Sequence, residues 1–184
     1  MPKLQIVRSI TTLPAAIGLL AATGACAQQT PPPVASAPLV ERHESAPGGL
    51  ILQGVTVRSG ATTLYLSGQL PNPIDPAATG AKNRADITTA DYGDTKTQTI
   101  STLRKIEGIL ASHGYQMSDA VKMTAFLAGD PALGGAMDFN GFNEGFREFF
   151  GSESNPNTVA RSTVQVAALA APFFLVELEV TAVK

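Results

Sequence analysis

Two C-terminal stretches leave this chain little choice of architecture. "ARSTVQVAAL" (160–169) and "FLVELEVTAV" (174–183) both alternate residue by residue, the period of a β-strand whose successive side chains face opposite ways. In the second stretch Val176, Leu178, Val180 and Ala182 form an apolar face, opposed by Leu175, Glu177, Glu179 and Thr181. In the first, Ser162, Val164, Val166 and Ala168 oppose Arg161, Thr163, Gln165 and Ala167. Read as a hairpin turning over 170–173, the pair lays its apolar sides on a core and gathers Arg161, Glu177 and Glu179 on one polar face. In that register Arg161 and Glu177 lie roughly 16 Å apart, at ~3.3 Å per residue. The spacing predicts that the guanidinium and the carboxylate cannot meet within one chain. A second copy laid against this face could bring them together.

The rest of the domain reads in the same terms. "LILQGVTVRSG" (50–60) and "TTLYLSGQLP" (62–71) predict two strands joined by a turn at Ser59, Gly60 and Ala61. A polar segment, 72–94, follows; loops this long in a compact domain are binding segments, lids or disordered. Its carboxylates (Asp75, Asp86, Asp91, Asp94) lack the spacing of a calcium loop. In "TKTQTISTLRKIEGILASHG" the residues Ile100, Leu103, Ile106 and Leu110 recur every three or four positions, a helical face with Asp94 as N-cap and Gly114 as its stop. "DAVKMTAFLAG" (119–129) predicts a strand with Val121, Met123, Ala125 and Leu127 on one side. "MDFNGFNEGFREFF" (137–150) predicts a second helix with Met137, Phe139, Phe142, Phe146 and Phe149 as its core stripe. The order strand, strand, helix, strand, helix, strand, strand specifies an α+β fold, a mixed sheet with two helices packed on one face. The other face is left to water or to a partner.

Charge narrows the function classes. Thirteen Lys and Arg against 15 Asp and Glu give a net charge of −2 and an isoelectric point near 5.6, with no basic run, so there is no electrostatic footprint for nucleic acid. Only 15% of residues are charged, a sparse surface that suits an oligomer better than a solvated monomer. The N-terminal residues 1–27 have the form of an export signal: Lys3 and Arg8, an apolar run from Ile10 to Ala25, then the small residues of "ACA". That run is too short and too rich in Thr, Ala and Gly for a membrane span. Export to the periplasm or beyond is expected, with a lipid anchor on Cys26 as the second choice. Cys26 is the only cysteine, so cleavage after Ala27 leaves no thiol for catalysis or disulfides. The Pro-rich stretch 28–39 reads as a tether, and 40–184 as the folded domain. No zinc spacing, phosphate loop or nucleophile elbow is present, and His43 and His113 are isolated.

"LYLSGQLP", "DAVKMTAFLAG", "FNEGFREFF", "VARSTVQVAAL" and "VELEVTA", in this order over roughly 49–184, resemble the RidA/YjgF family of enamine/imine deaminases. The resemblance implies a chorismate-mutase-like fold and a homotrimer with clefts between its subunits. It implies hydrolysis of 2-enamine or 2-imine acids, such as 2-aminoacrylate, to 2-keto acids and ammonia, with no cofactor or metal. Arg161, in the family's "ARS", would hold the substrate carboxylate, and Glu177, the first glutamate of the last strand, would orient the attacking water. Gly68 of "SGQ" would offer backbone contacts, Asn143 matches the asparagine ahead of the paired phenylalanines, and Thr163 stands where many members have a cysteine. Two positions depart from the pattern: Ile51 replaces the usual tyrosine before the first "QG", and Val159 the usual proline before "ARS". The alternative is a non-enzymatic trimer that binds small carboxylates or a protein partner in the same cleft.

Overall fold

The computed structural model describes residues 37–184; the expected leader and most of the tether lie outside them. Six strands form one sheet: β1 (Val40–Glu44), β2 (Leu52–Val57), β3 (Thr63–Tyr65), β4 (Ala120–Ala128), β5 (Ala160–Val166) and β6 (Val176–Val183). They lie side by side in the order β1-β2-β5-β4-β6-β3. Three helices join them, α1 (Pro76–Gly80), α2 (Thr95–Ser112) and α3 (Phe139–Arg147). No described helix is long and apolar enough to cross a membrane.

The sheet corrects two expected hairpins. Strands β2 and β3 do not pair: β2 lies between the unforeseen strand β1 and β5, while β3 sits at the far edge beside β6. Nor do β5 and β6 pair with each other. Strand β4 lies between them, parallel to β5 and antiparallel to β6. The physical reason is in the connections. The segment 167–175 has no tight-turn chemistry and spends Phe173 in a small aromatic cluster. Helix α3 meanwhile provides the crossover that parallel neighbours such as β4 and β5 need.

The helices form much as their patterns require. Asp94 caps α2, accepting from the Thr97 amide at 2.8 Å, and the chain leaves the helix through Gly114 at a φ of +76°. Leu103, Ile106 and Leu110 are fully buried against Met123, Ala125, Leu127, Leu178 and Val180 of the sheet. The buried stripe of α3 is Phe142 and Phe146, continued by Phe150 just beyond the helix; Phe139 is 43% exposed and Phe149 only half-buried, so the expected stripe is off by one at its end. Helices α2 and α3 approach closely at Gly145, where an added Cβ would lie 2.9 Å from that of Thr99.

The insertion 72–94 is folded onto this body. Asp75 caps α1, Asp91 pairs with Lys82 at 2.5 Å, and Tyr92 stacks on Phe173 with ring centroids 5.0 Å apart. Of its acids, Asp75 and Asp94 cap helices, Asp91 pairs with Lys82, and Asp86 accepts from the Asn83 side-chain amide. Beside it the buried Gln98 of α2 donates to the carbonyls of Gly93 and Phe173 and accepts from the Leu175 amide. One side chain thereby ties the insertion and the connector into β6 to the same helix.

Candidate active site

Arg161 begins β5 opposite Met123 of β4, and paired residues of neighbouring strands point to the same side. Met123 is fully buried under the helices, so Arg161 also lies on the helix face. Its guanidinium carbon sits 4.9 Å from the ring centroid of Phe142 and 4.5 Å from that of Phe146, contacts that favour a cation. One terminal nitrogen donates to Asn143 Oδ1 at 2.7 Å. The other, Nη1, is buried without a partner, as is the hydroxyl of Thr163 two residues along the same face. Burial, helped by the positive charge of Arg147, pushes the Arg161 pKa down to about 10, so the group remains a cation at neutral pH. No ion pair among the described residues includes it.

Glu177 stands on the other side of the sheet. It pairs with Phe126 of β4, and both neighbours of Glu177 along β6 are buried in the core. Gly68 lies against it: a Cβ added there would overlap the Glu177 carboxylate. The chain on either side of Gly68 is pinned to β6, Leu66 donating to the Val180 carbonyl and Gln69 exchanging two hydrogen bonds with Leu178. The absence of a side chain at 68 is what leaves room for the acid.

The expected faces of β5 are therefore reversed. Arg161, Thr163 and Gln165 turn to the helices, while Ser162, Val164 and Val166 turn to the open face with Glu177 and Glu179. Hydrogen bonds explain the polar choice. Gln165 donates to the Gly135 carbonyl and accepts from the Met137 amide, closing the loop before α3, and Arg161 meets Asn143. Arg161 and Glu177 remain apart, two strands across and three residues along, roughly 14 Å at ~4.8 Å per strand and ~3.3 Å per residue. Sheet faces as well as distance separate them. The five expected residues fall into two groups, Arg161 with Asn143 and Thr163, and Glu177 with Gly68. Ile51, at the position of the missing tyrosine, is half-buried just before β2.

Residues 53–184 match the family model described as Endoribonuclease L-PSP. Over 141 residues the chain is 34% identical to the RutC family protein PH0854 of Pyrococcus horikoshii, an alignment covering 77% of this chain and 94% of that protein. The chain belongs to the RidA/YjgF family. This Rid-family chain is similar in fold to the crystal structure of YyfB from Yersinia pestis, described as a protein of unknown function of the conserved Rid family. That likeness has a TM-score of 0.54 at 23% identity, over 78% of this chain and 98% of the other. At such identity it speaks for the shared mixed α+β architecture.

Sequence reasoning missed two parts of the Rid site. Periodicity marks the phenylalanines of α3 as core alone, although Phe142 and Phe146 also cradle the guanidinium. Arg147 sits inside "FNEGFREFF" but was given no role, although its charge bears on Arg161. Its place four residues after Asn143, one helical turn on, was the available signal.

Proposed function

We propose that this Rid-family protein hydrolyses 2-imino and 2-enamino acids to 2-keto acids and ammonia, in clefts between the subunits of a homotrimer. The observation that supports this best is the unanswered cation. Arg161 is held by rings and by Asn143, yet Nη1 and the Thr163 hydroxyl have no partner. A buried guanidinium of that kind is a receptor for a planar carboxylate, and a carboxylate gives it a charge-assisted pair.

An enamine first takes a proton at its β-carbon to become the imine. The imine carbon is already electrophilic, so hydrolysis needs only an oriented water and proton transfers. Glu177 accepts a proton from water as the oxygen bonds to the imine carbon, and the nitrogen, protonated in turn, leaves as ammonia. One water is consumed per 2-keto acid released. General-base help of this sort is worth roughly 10²–10⁴-fold. Because Arg161 and Glu177 occupy opposite faces of one sheet, each cleft draws them from different subunits. The open face, with Val164 43% exposed, is the surface that a neighbouring copy would cover.

The test is the release of ammonia and 2-keto acid above the spontaneous rate, from imines made in situ by an amino-acid oxidase. Parental turnover, a kcat/KM lowered by about 10²-fold in Arg161→Ala and a trimeric mass in solution are expected. A monomer, or an Arg161→Ala variant with the parent's kcat/KM, overturns the proposal. Binding of 2-keto acids through Arg161 without turnover would put the non-enzymatic binding protein in its place, a reading that Ile51, with no hydroxyl to offer, favours. RNA cleavage, which the family model's description names, is poorly served by a chain of net charge −2 with no run of Lys or Arg in its sequence. Export by the 1–27 leader belongs to the same proposal; the N-terminal mass of protein recovered outside the cytoplasm tests it.

A further inference from the structure

Arg161 is one of two guanidiniums at this end of α3. Arg147 lies one helical turn beyond Asn143, on the flank of α3 that already presents Asn143 to Arg161. The acids near it in sequence are turned elsewhere. Glu144 binds Lys96 of α2 at 3.0 Å, and Glu148 adds its field to the same lysine. No ion pair among the described residues includes Arg147 or Arg161. The carboxylates of α3 thus serve α2, while Arg147, whose charge bears on Arg161, has no ion pair among the described residues. The two cations repel in the free protein, and a ligand with one carboxylate satisfies only one of them.

We infer that Arg161 and Arg147 together form a receptor for a dianion, so that the preferred substrates are 2-imino dicarboxylates, the imines of acidic amino acids. The inference rests on the deaminase reading and names its substrate class. Arg161, through its buried Nη1, takes the carboxylate next to the imine. Arg147 is exposed and takes the distal carboxylate.

The experiment compares kcat/KM for the imine of glutamate with that for the imine of alanine, in the parent and in Arg147→Gln. The exposed position of Arg147 lets the variant fold. The parent is expected to favour the dicarboxylate by about tenfold, the scale of one hydrogen bond to a charged group. That ratio should collapse in Arg147→Gln and partly return in Arg147→Lys, which restores the charge without the fork. A parent that favours the imine of alanine, or a ratio unmoved by Arg147→Gln, overturns the inference and leaves the deaminase reading intact. If neither imine is hydrolysed, the deaminase reading falls. The calorimetric affinity for 2-ketoglutarate against pyruvate, in the same two proteins, then decides the dianion receptor by the same ratio.

Discussion

Arg161 reaches its place through a strand, a helix and two aromatic rings of its own chain, with Nη1 left unpaired. Glu177 reaches its place at the start of a strand, beside a glycine that makes room, on a face its own chain leaves open. Binding groups are easily organised in advance when aromatic faces and an amide carry a cation into a half-buried site. A general base has a different requirement: it must stay charged, and near water, until substrate arrives. On the proposed reaction, one subunit would complete the grip on a carboxylate, while the chemical step would wait for a neighbour.

That contrast predicts different kinetic signatures for the two halves. Glu177→Gln keeps the size of the side chain and removes the base, so kcat should fall by about 10³-fold with 2-keto acid affinity little changed. Arg161→Ala should act mainly on binding, raising KM and weakening 2-keto acid affinity by about 10²-fold, the scale of a charge-assisted pair. Single-turnover rates and calorimetry on both variants separate the two. The contrast breaks if Glu177→Gln loses ligand, or if Arg161→Ala binds as the parent does. Next in size comes Gly68→Ala, whose methyl must displace the Glu177 carboxylate. A loss in kcat of about tenfold is expected, on the scale set by a misplaced catalytic group. Parental kcat in the Gly68→Ala variant would mean that the carboxylate works from another position.

Much of this was legible beforehand. Helix α2 announced its cap and its buried row because Leu103, Ile106 and Leu110 repeat with the turn, and β4 and β6 announced their core faces by strict alternation. Strand β5 misleads for a physical reason. Its apolar residues Val164 and Val166 face outward, and its polar residues face inward to answer α3 and the loop before it. Within one chain, hydrophobicity pointed the wrong way. The hairpins failed because sequence neighbours were assumed to pair, whereas β4 takes a partner on each side. In either topology Arg161 and Glu177 are too far apart within one chain to share a small ligand.

The smallest expected effect tests whether the insertion belongs to the Glu177 half. Tyr92 stacks on Phe173 and meets Phe174 edge-on at 5.0 Å, on the connector that leads straight into β6. Gln98 fixes the same connector by hydrogen bonds at Phe173 and Leu175, two residues before Glu177. The Arg161 half shares none of these contacts. Tyr92→Ala should therefore lower stability by about 2 kcal/mol, below the range for a fully enclosed aromatic because the cluster is small. Hydrogen exchange should speed up over 72–94 and 171–176 while the amides of α3 stay protected. Turnover should fall a few-fold in kcat, with 2-keto acid affinity unchanged, since the base loosens and the clamp does not. Gln98→Leu should reproduce the pattern, because it leaves the Phe173 carbonyl and the Leu175 amide unpaired at about 1–3 kcal/mol. Equal loosening of α3 and β6 in either variant would show that the two halves of the site share one support.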